Sequence, residues 1–180
     1  ADVSCAPIAA SAAASPTAKP TQQPLQPRGG APTPRPTLAP SCRAAVDIML
    51  VLDSSGSIGP NDYEKVRGFA RAFAASMKVA PDGARIGIVQ FSSPSQNRLE
   101  IGLSDDPTAL NAAIRDMRLL SGATDMDDGL RIGWEELEAN GRPGMPKVLI
   151  LMSDGQPNQG DPQPVADAIK AAGARLLTIG

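Results

Sequence analysis

The segment VDIMLVLDSSGS, residues 46–57, decides how this chain folds. Its first seven residues form a nearly continuous apolar run, which is typical of a parallel strand that is covered on both faces of a sheet. The run stops at Asp53, and a Ser/Gly turn follows. Because ligands of open α/β sheets bind beyond the carboxyl ends of the strands, the residues after this strand are the first candidates for a functional site.

Strand and helix patterns alternate along the rest of the chain, which predicts an α/β fold with a doubly wound, mostly parallel open sheet and helices on both faces. Residues 85–91 and 98–103 are predicted to form a hairpin around a polar turn. The other predicted strands are 46–52, 147–152 and 175–179, and the predicted helices are 61–79, 107–117, 125–139 and 164–172.

Helical spacing assigns several side chains to a helix end or to the core. Asn61 is the expected N-cap of the first helix, with Asp62 in its first turn. Trp134, in the third helix, lies at helical spacing with two leucines. This spacing favours packing of Trp134 in the core over stacking on a ligand.

The N-terminal segment differs in composition from the rest of the chain. Nine of the 18 prolines fall in residues 1–41, among Ala, Thr, Ser and Gln. Such a segment cannot bury enough apolar surface to offset its loss of entropy on ordering, so residues 1–41 are predicted to be a disordered, polyproline-like stalk or linker. A proline-motif ligand is the less favoured alternative. The folded domain is expected to span residues 42–180.

Composition excludes several classes of function. The chain has no histidine, which rules out Ser-His-Asp and Cys-His catalysis and zinc sites with histidine ligands. Its 17 Lys and Arg against 19 Asp and Glu leave a net charge of −2, so no basic surplus exists to bind nucleic acid. No apolar run is long enough to span a membrane.

Polar side chains lie next to the ends of three predicted structural elements and indicate one chemistry. Asp53, Ser55 and Ser57 follow the first strand, Thr124 precedes the third helix, and Asp154 follows the strand at 147–152. The topology brings these ends together. Two carboxylates and several hydroxyls form an all-oxygen set, which suits a hard divalent cation.

With these motifs the sequence resembles a von Willebrand factor type A domain, also called an integrin I-like domain. The resemblance runs from about residue 46 to residue 180 and depends on DSSGSIG at 53–59, GATDMDDGL at 122–130 and LMSDG at 151–155. It implies the sheet order 3-2-1-4-5-6, with the strand at 98–103 antiparallel at one edge. By the same resemblance the chain is expected to stop before the last strand and the C-terminal helices of the family.

The resemblance also implies a metal-ion-dependent adhesion site that holds Mg²⁺ or Mn²⁺. The five matching positions are Asp53, Ser55, Ser57, Thr124 and Asp154. The hydroxyls would contact the metal directly or through water, and the aspartates would mostly hold its waters. Ser54 falls between the matching positions, so we expect its replacement by alanine to be nearly silent.

The loop around Thr124 departs from the family pattern. Ala123 precedes Thr124 where many members have glycine, and Asp127 and Asp128 follow it. We interpret Asp125, Asp127 and Asp128 as charges that complement the dipole of the third helix, in preference to a second cation site.

These features predict a non-catalytic adhesion or protein-interaction module, secreted, at the cell surface or in the envelope, whose metal binds a carboxylate of a protein partner. One alternative is a magnesium-dependent phosphatase of the haloacid dehalogenase kind. That mechanism needs a second acidic residue two positions after Asp53, where this chain has Ser55. The other alternative is a structural domain whose site is unused.

The two cysteines, Cys5 and Cys42, flank the proline-rich segment. One pair of thiols cannot form a metal cluster, so they are either unpaired or bridged to each other. The family resemblance adds a third possibility, in which Cys42 pairs with a cysteine beyond residue 180.

Overall fold

The structure is a computed structural model that describes residues 45–180. The expectations for residues 1–41, Cys5 and Cys42 lie outside the described residues. Five strands and four helices follow one another in residues 45–180: β1 (Val46–Asp53), α1 (Pro60–Ser76), β2 (Ala84–Phe91), β3 (Arg98–Ser104), α2 (Pro107–Asp116), α3 (Met126–Asn140), β4 (Lys147–Met152), α4 (Gln163–Ala171) and β5 (Arg175–Ile179).

The sheet confirms the predicted open α/β architecture. Its strand order is β3-β2-β1-β4-β5. The three pairings β1–β2, β1–β4 and β4–β5 are parallel, and β3 runs antiparallel to β2 at one edge. All eight residues of β1 are buried, as expected for a central strand between two layers of helices.

Two apolar clusters cover the two faces of the sheet. Alternate residues of β1 point to opposite sides, so Leu50 lies in the cluster with α1 and α2, and Val51 lies in the cluster with α3 and α4. Trp134 is partly buried against the second cluster, which confirms its assignment to packing. Lys147 Nζ lies 5.7 Å from the centre of the Trp134 ring. None of the helices in residues 45–180 is both long and apolar enough to cross a bilayer.

The helix ends correct one expectation. The N-cap of α1 is Gly59, Pro60 is the first helical residue, and no side chain caps this end, so the assignment of Asn61 as N-cap is wrong. Proline is favoured at a first helical position because its missing N–H would lack an intrahelical partner there in any case. At α2 the side chain of Asp106 caps the helix by accepting a hydrogen bond from Thr108 N at 2.7 Å.

Helix α3 approaches the sheet closely because two glycines face it. A Cβ atom on Gly129 would lie 2.7 Å from Cβ of Phe91, and a Cβ on Gly133 would lie 3.1 Å from Val51. These glycines are four residues apart and therefore lie on one side of the helix. The close contact matters for the site, because the N-terminal end of α3 directly follows Thr124.

A buried charged network lies near the start of β1. The carboxylate of Asp47 has no exposed surface and pairs with two arginines. Arg85 donates to it through Nε and Nη2, both at 3.0 Å, and Arg142 donates through its main-chain N at 2.5 Å and its Nε at 2.9 Å. Every strong acceptor position of this carboxylate is therefore used, which is the condition for tolerating a buried charge.

Candidate metal centre

The candidate site lies where β1 and β4 end side by side. Leu52 pairs with Met152 in the parallel ladder, so the next residues, Asp53 and Ser153, leave the sheet at the same level. The loop before α3 joins them through an isolated bridge between Ser55 and Gly122. The predicted convergence of three loops is thus present.

Asp53 forms the buried floor of the site. It is the last residue of β1 and has no exposed surface. Its Oδ1 accepts a hydrogen bond from Ser55 N at 2.8 Å, and its Oδ2 accepts one from Ser153 Oγ at 2.6 Å. In residues 45–180 no basic side chain forms an ion pair with Asp53, and the donors to its carboxylate are the neutral Ser55 N and Ser153 Oγ.

A series of hydrogen bonds leads from Ser55, which is bonded to Asp53 through its main-chain N, to the solvent. Ser55 Oγ lies 3.1 Å from Ser57 Oγ, and Ser57 Oγ donates to Asp154 Oδ1 at 2.9 Å. Ser55 is buried, whereas Ser57 and Asp154 are exposed. Four of the five sequence-predicted residues are therefore connected by direct hydrogen bonds, in the order Asp53, Ser55, Ser57, Asp154.

Thr124 joins this group through its main-chain neighbours. Gly56 N donates to the Gly122 carbonyl at 2.8 Å, which ties the loop of Thr124 to the loop of Ser55. Thr124 is 6% exposed, and its own main-chain N donates to Asn158 Oδ1 at 2.8 Å.

These residues fit a hard divalent cation. The donor set has two carboxylates and three neutral hydroxyls, all of them oxygen ligands of the kind that Mg²⁺ and Mn²⁺ prefer. Within residues 45–180 no group of three His, Cys, Asp or Glu side chains could form a metal cluster. The chemistry of the site therefore depends on its hydroxyls.

The contacts of the acidic residues after Thr124 agree with their interpretation as helix charges. Asp125 is the N-cap of α3, and its side chain accepts from Asp128 N. Asn97 Nδ2 donates at 2.9 Å to both Asp125 Oδ2 and Asp128 Oδ2, and Asp128 also forms an ion pair with Arg131.

Sequence reasoning missed the residues that hold the loops in place. Ser54, expected to be a bystander, is fully buried, and its Oγ accepts a hydrogen bond from Leu120 N at 2.8 Å. Ser92 and Ser93, directly after β2, accept from Gly122 N and Ala123 N at 2.7 and 2.9 Å. A signal was present, because Ser92 and Ser93 also follow the carboxyl end of a strand.

Residues 47–180 match the von Willebrand factor type A domain family, and the chain belongs to this family. It is 33% identical over 136 residues to cuticlin-6 of Caenorhabditis elegans, a match that covers 76% of this chain and 24% of that protein. It is 31% identical over 159 residues to human matrilin-1, covering 81% of this chain and 32% of that protein. The chain thus spans a third or less of these relatives.

Two solved structures with a similar fold concern the metal site. Proximal thread matrix protein 1 from the mussel byssus, with a zinc-occupied MIDAS motif, superposes with a TM-score of 0.68 at 29% identity over 78% of this chain and 36% of that one. Manganese-loaded Plasmodium vivax TRAP protein superposes with a TM-score of 0.66 at 28% identity over 75% of this chain and 56% of that one.

Proposed function

We propose that this domain is a non-catalytic adhesion module that binds an acidic side chain of a protein partner through a divalent cation, Mg²⁺ or Mn²⁺. The residues proposed to hold the cation are Asp53, Ser55, Ser57, Thr124 and Asp154. The observation that carries the proposal is the series of hydrogen bonds that joins buried Asp53 to Ser55 N, Ser55 Oγ to Ser57 Oγ, and Ser57 Oγ to exposed Asp154.

The donor chemistry supports a carboxylate as the partner's ligand. Hydroxyls donate little negative charge, so a cation held by three of them and two aspartates stays electrophilic and attracts an anionic ligand. In this arrangement the buried charge of Asp53 attracts the cation, while the exposed Ser57 and Asp154 leave the site open to another protein. Contacts around the rim would supply the choice of partner, because one carboxylate cannot distinguish partners by itself.

The relatives support the setting of this proposal. Matrilin and cuticlin are extracellular matrix proteins, and the solved relatives include metal-loaded examples. We therefore propose an extracellular or cell-surface location.

We also propose the division of the chain into a spacer at residues 1–41 and a domain at 42–180. A variant without residues 1–41 should unfold at the same temperature as the full chain.

Calorimetric titration of the full chain with MgCl₂ and MnCl₂ tests the metal step. Wild type should bind one cation, and Asp154→Ala should bind none. Adhesion of the same two proteins to an immobilised extracellular-matrix extract then tests the partner step. Adhesion of wild type in Mg²⁺ should be lost in EDTA and in Asp154→Ala. Equal heats for both proteins, or adhesion that persists in EDTA, would refute the proposal.

A further inference from the structure

Asn158 makes two hydrogen bonds to Thr124 and lies in the same loop as Asp154. Its side-chain Oδ1 accepts from Thr124 N at 2.8 Å, and its main-chain N donates to the Thr124 carbonyl at 3.2 Å. The loop between β4 and α4 therefore binds both the main-chain N–H and the main-chain carbonyl of Thr124.

The neighbours of Thr124 are held from a different direction. Four successive main-chain N–H groups, those of residues 122–125, donate to partners in other loops. Three of these partners belong to the turn between β2 and β3, as follows: Gly122 N to Ser92 Oγ at 2.7 Å, Ala123 N to Ser93 Oγ at 2.9 Å, and Asp125 N to the Ser92 carbonyl at 2.9 Å. Among the hydrogen bonds of residues 45–180, those of Asn158 alone connect residues 119–125 to the loop of Asp154.

The hydrogen bond between Ser57 and Asp154 also holds the loop of Asp154, but it would not persist when a cation is bound. In the proposed function both of these side chains would hold the cation, directly or through its waters, and their mutual bond would then be lost. The bonds of Asn158 involve the main chain of Thr124 and leave its hydroxyl free. They can persist in the loaded state.

We infer that Asn158 is a positioning residue for the cation site, which fixes the hydroxyl of Thr124 relative to the carboxylate of Asp154. This inference rests on the proposed function. Asn158 is exposed, so its side chain adds little to the folding energy through burial. Metal affinity is more sensitive, because residues that orient ligands typically contribute factors of about 10 to 100.

Titration of the full chain with MnCl₂ tests the inference with three variants. Asn158→Ala removes the side-chain acceptor and should weaken Mn²⁺ binding about 10-fold. Asn158→Asp keeps an oxygen at the same place and should bind Mn²⁺ at least as tightly as wild type. Gln159→Ala, a change at the next exposed residue, is the matched control and should behave as wild type. In EDTA all four proteins should unfold within about 2 °C of one another.

The possible outcomes separate this inference from the proposed function. Asn158→Ala with wild-type Mn²⁺ affinity overturns the inference and leaves the proposed function standing. Equal weakening in Asn158→Ala and Asn158→Asp also overturns it, because the acceptor oxygen would then be irrelevant. A large loss of stability in EDTA would assign Asn158 to folding instead. Wild type that binds no Mn²⁺ refutes the proposed function and this inference together.

Discussion

Ser57 Oγ donates a hydrogen bond to Asp154 Oδ1 at 2.9 Å across 97 residues of sequence, and this bond joins the end of β1 to the end of β4 on the solvent side of the candidate site. On the opposite side of the same site, Asp53 is fully buried. Substitutions at the exposed and at the buried residues of the site should therefore differ in their effect on stability without a cation, but should have the same effect on cation binding.

Asp53→Asn should stabilise the protein in EDTA and abolish its stabilisation by Mn²⁺. A buried carboxylate without a basic partner is costly to desolvate, and an amide of the same shape removes that cost. The amide oxygen can still accept from Ser55 N, and the amide nitrogen can donate to Ser153 Oγ, which donates to Asp53 in the wild type. Asp154→Asn, at an exposed position, is the control and should leave unfolding in EDTA unchanged while it also loses the Mn²⁺ effect. Thermal unfolding with EDTA and with MnCl₂ measures both. A lower unfolding temperature for Asp53→Asn in EDTA contradicts this account.

Ser54→Ala and Ser57→Ala should have opposite effects: the first should reduce the stability of the fold, and the second should reduce cation binding. The first leaves the main-chain N–H of Leu120 without its acceptor in a partly buried place, and should lower the free energy of unfolding by about 1–2 kcal/mol. It should keep the Mn²⁺-induced stabilisation. Ser57 is exposed, so its replacement should leave stability in EDTA nearly unchanged and remove that stabilisation. Urea unfolding with and without MnCl₂ compares them, and a silent Ser54→Ala would restore the expectation drawn from the sequence.

Gly129→Ala should destabilise the fold although alanine is the better helix former. The added methyl group would lie 2.7 Å from Cβ of Phe91, and overpacking of this kind costs about 1–3 kcal/mol against a gain of about 1 kcal/mol in helix propensity. Gly68, inside α1, is the matched control, because nothing lies within 4 Å of a Cβ placed there. Gly68→Ala should stabilise by about 0.5–1 kcal/mol. Urea unfolding that gives both changes the same sign would refute the close packing of α3.

Asp47→Asn should destabilise the protein strongly at neutral pH and less in acid. Burial by itself would raise the pKa of Asp47, but the hydrogen bonds from Arg85 and Arg142 outweigh it and hold this pKa below the usual 3.8. A depressed pKa in the folded state contributes stability that is present above the unfolded-state pKa and is lost as the pH falls through the folded-state pKa. At pH 7 the cost of the substitution should be about 3–5 kcal/mol.

Urea unfolding of wild type and Asp47→Asn between pH 7 and pH 2.5 checks this expectation. The difference between the two proteins should be constant down to about pH 4 and should shrink below it. Asp62→Asn breaks an exposed ion pair with Lys65 and serves as the control, with an expected effect below about 1 kcal/mol. A difference that stays constant down to pH 2.5 would show that the charge of Asp47 does not contribute.

The sequence was sufficient to predict the elements of the sheet and the meeting of its loops. Both depend on strong periodic signals: the apolar run of residues 46–52 marks the central strand, and polar residues at strand ends mark the site. Helix ends were harder to predict. Asn61 is a common N-cap type, but Pro60 sits ahead of it and begins the helix one residue earlier.

The supports of the site could not be derived in the same way. Asn158 and Ser54 accept hydrogen bonds from main-chain N–H groups of residues that are 34 and 66 positions away. In the sequence, these two side chains cannot be told apart from any other small polar side chain in a loop. The partners of such side chains depend on how the loops fold against each other, which local patterns do not encode. For the same reason the sequence does not predict the ion pair of Asp47 with Arg142, which lies 95 residues further along the chain.

The position of β1 at the centre of the sheet determines how the domain would bear a pulling force. Part of the tension from a partner attached at the candidate site would enter the protein through Asp53, at the end of this strand. Parallel ladders with β2 and β4 flank β1, over eight and six residue pairs. A pull along the strand would load these hydrogen bonds in shear, all at once, and the buried ion pairs of Asp47 anchor the far end. The site is thus attached to a strand that is hydrogen-bonded to a neighbour on each side over most of its length.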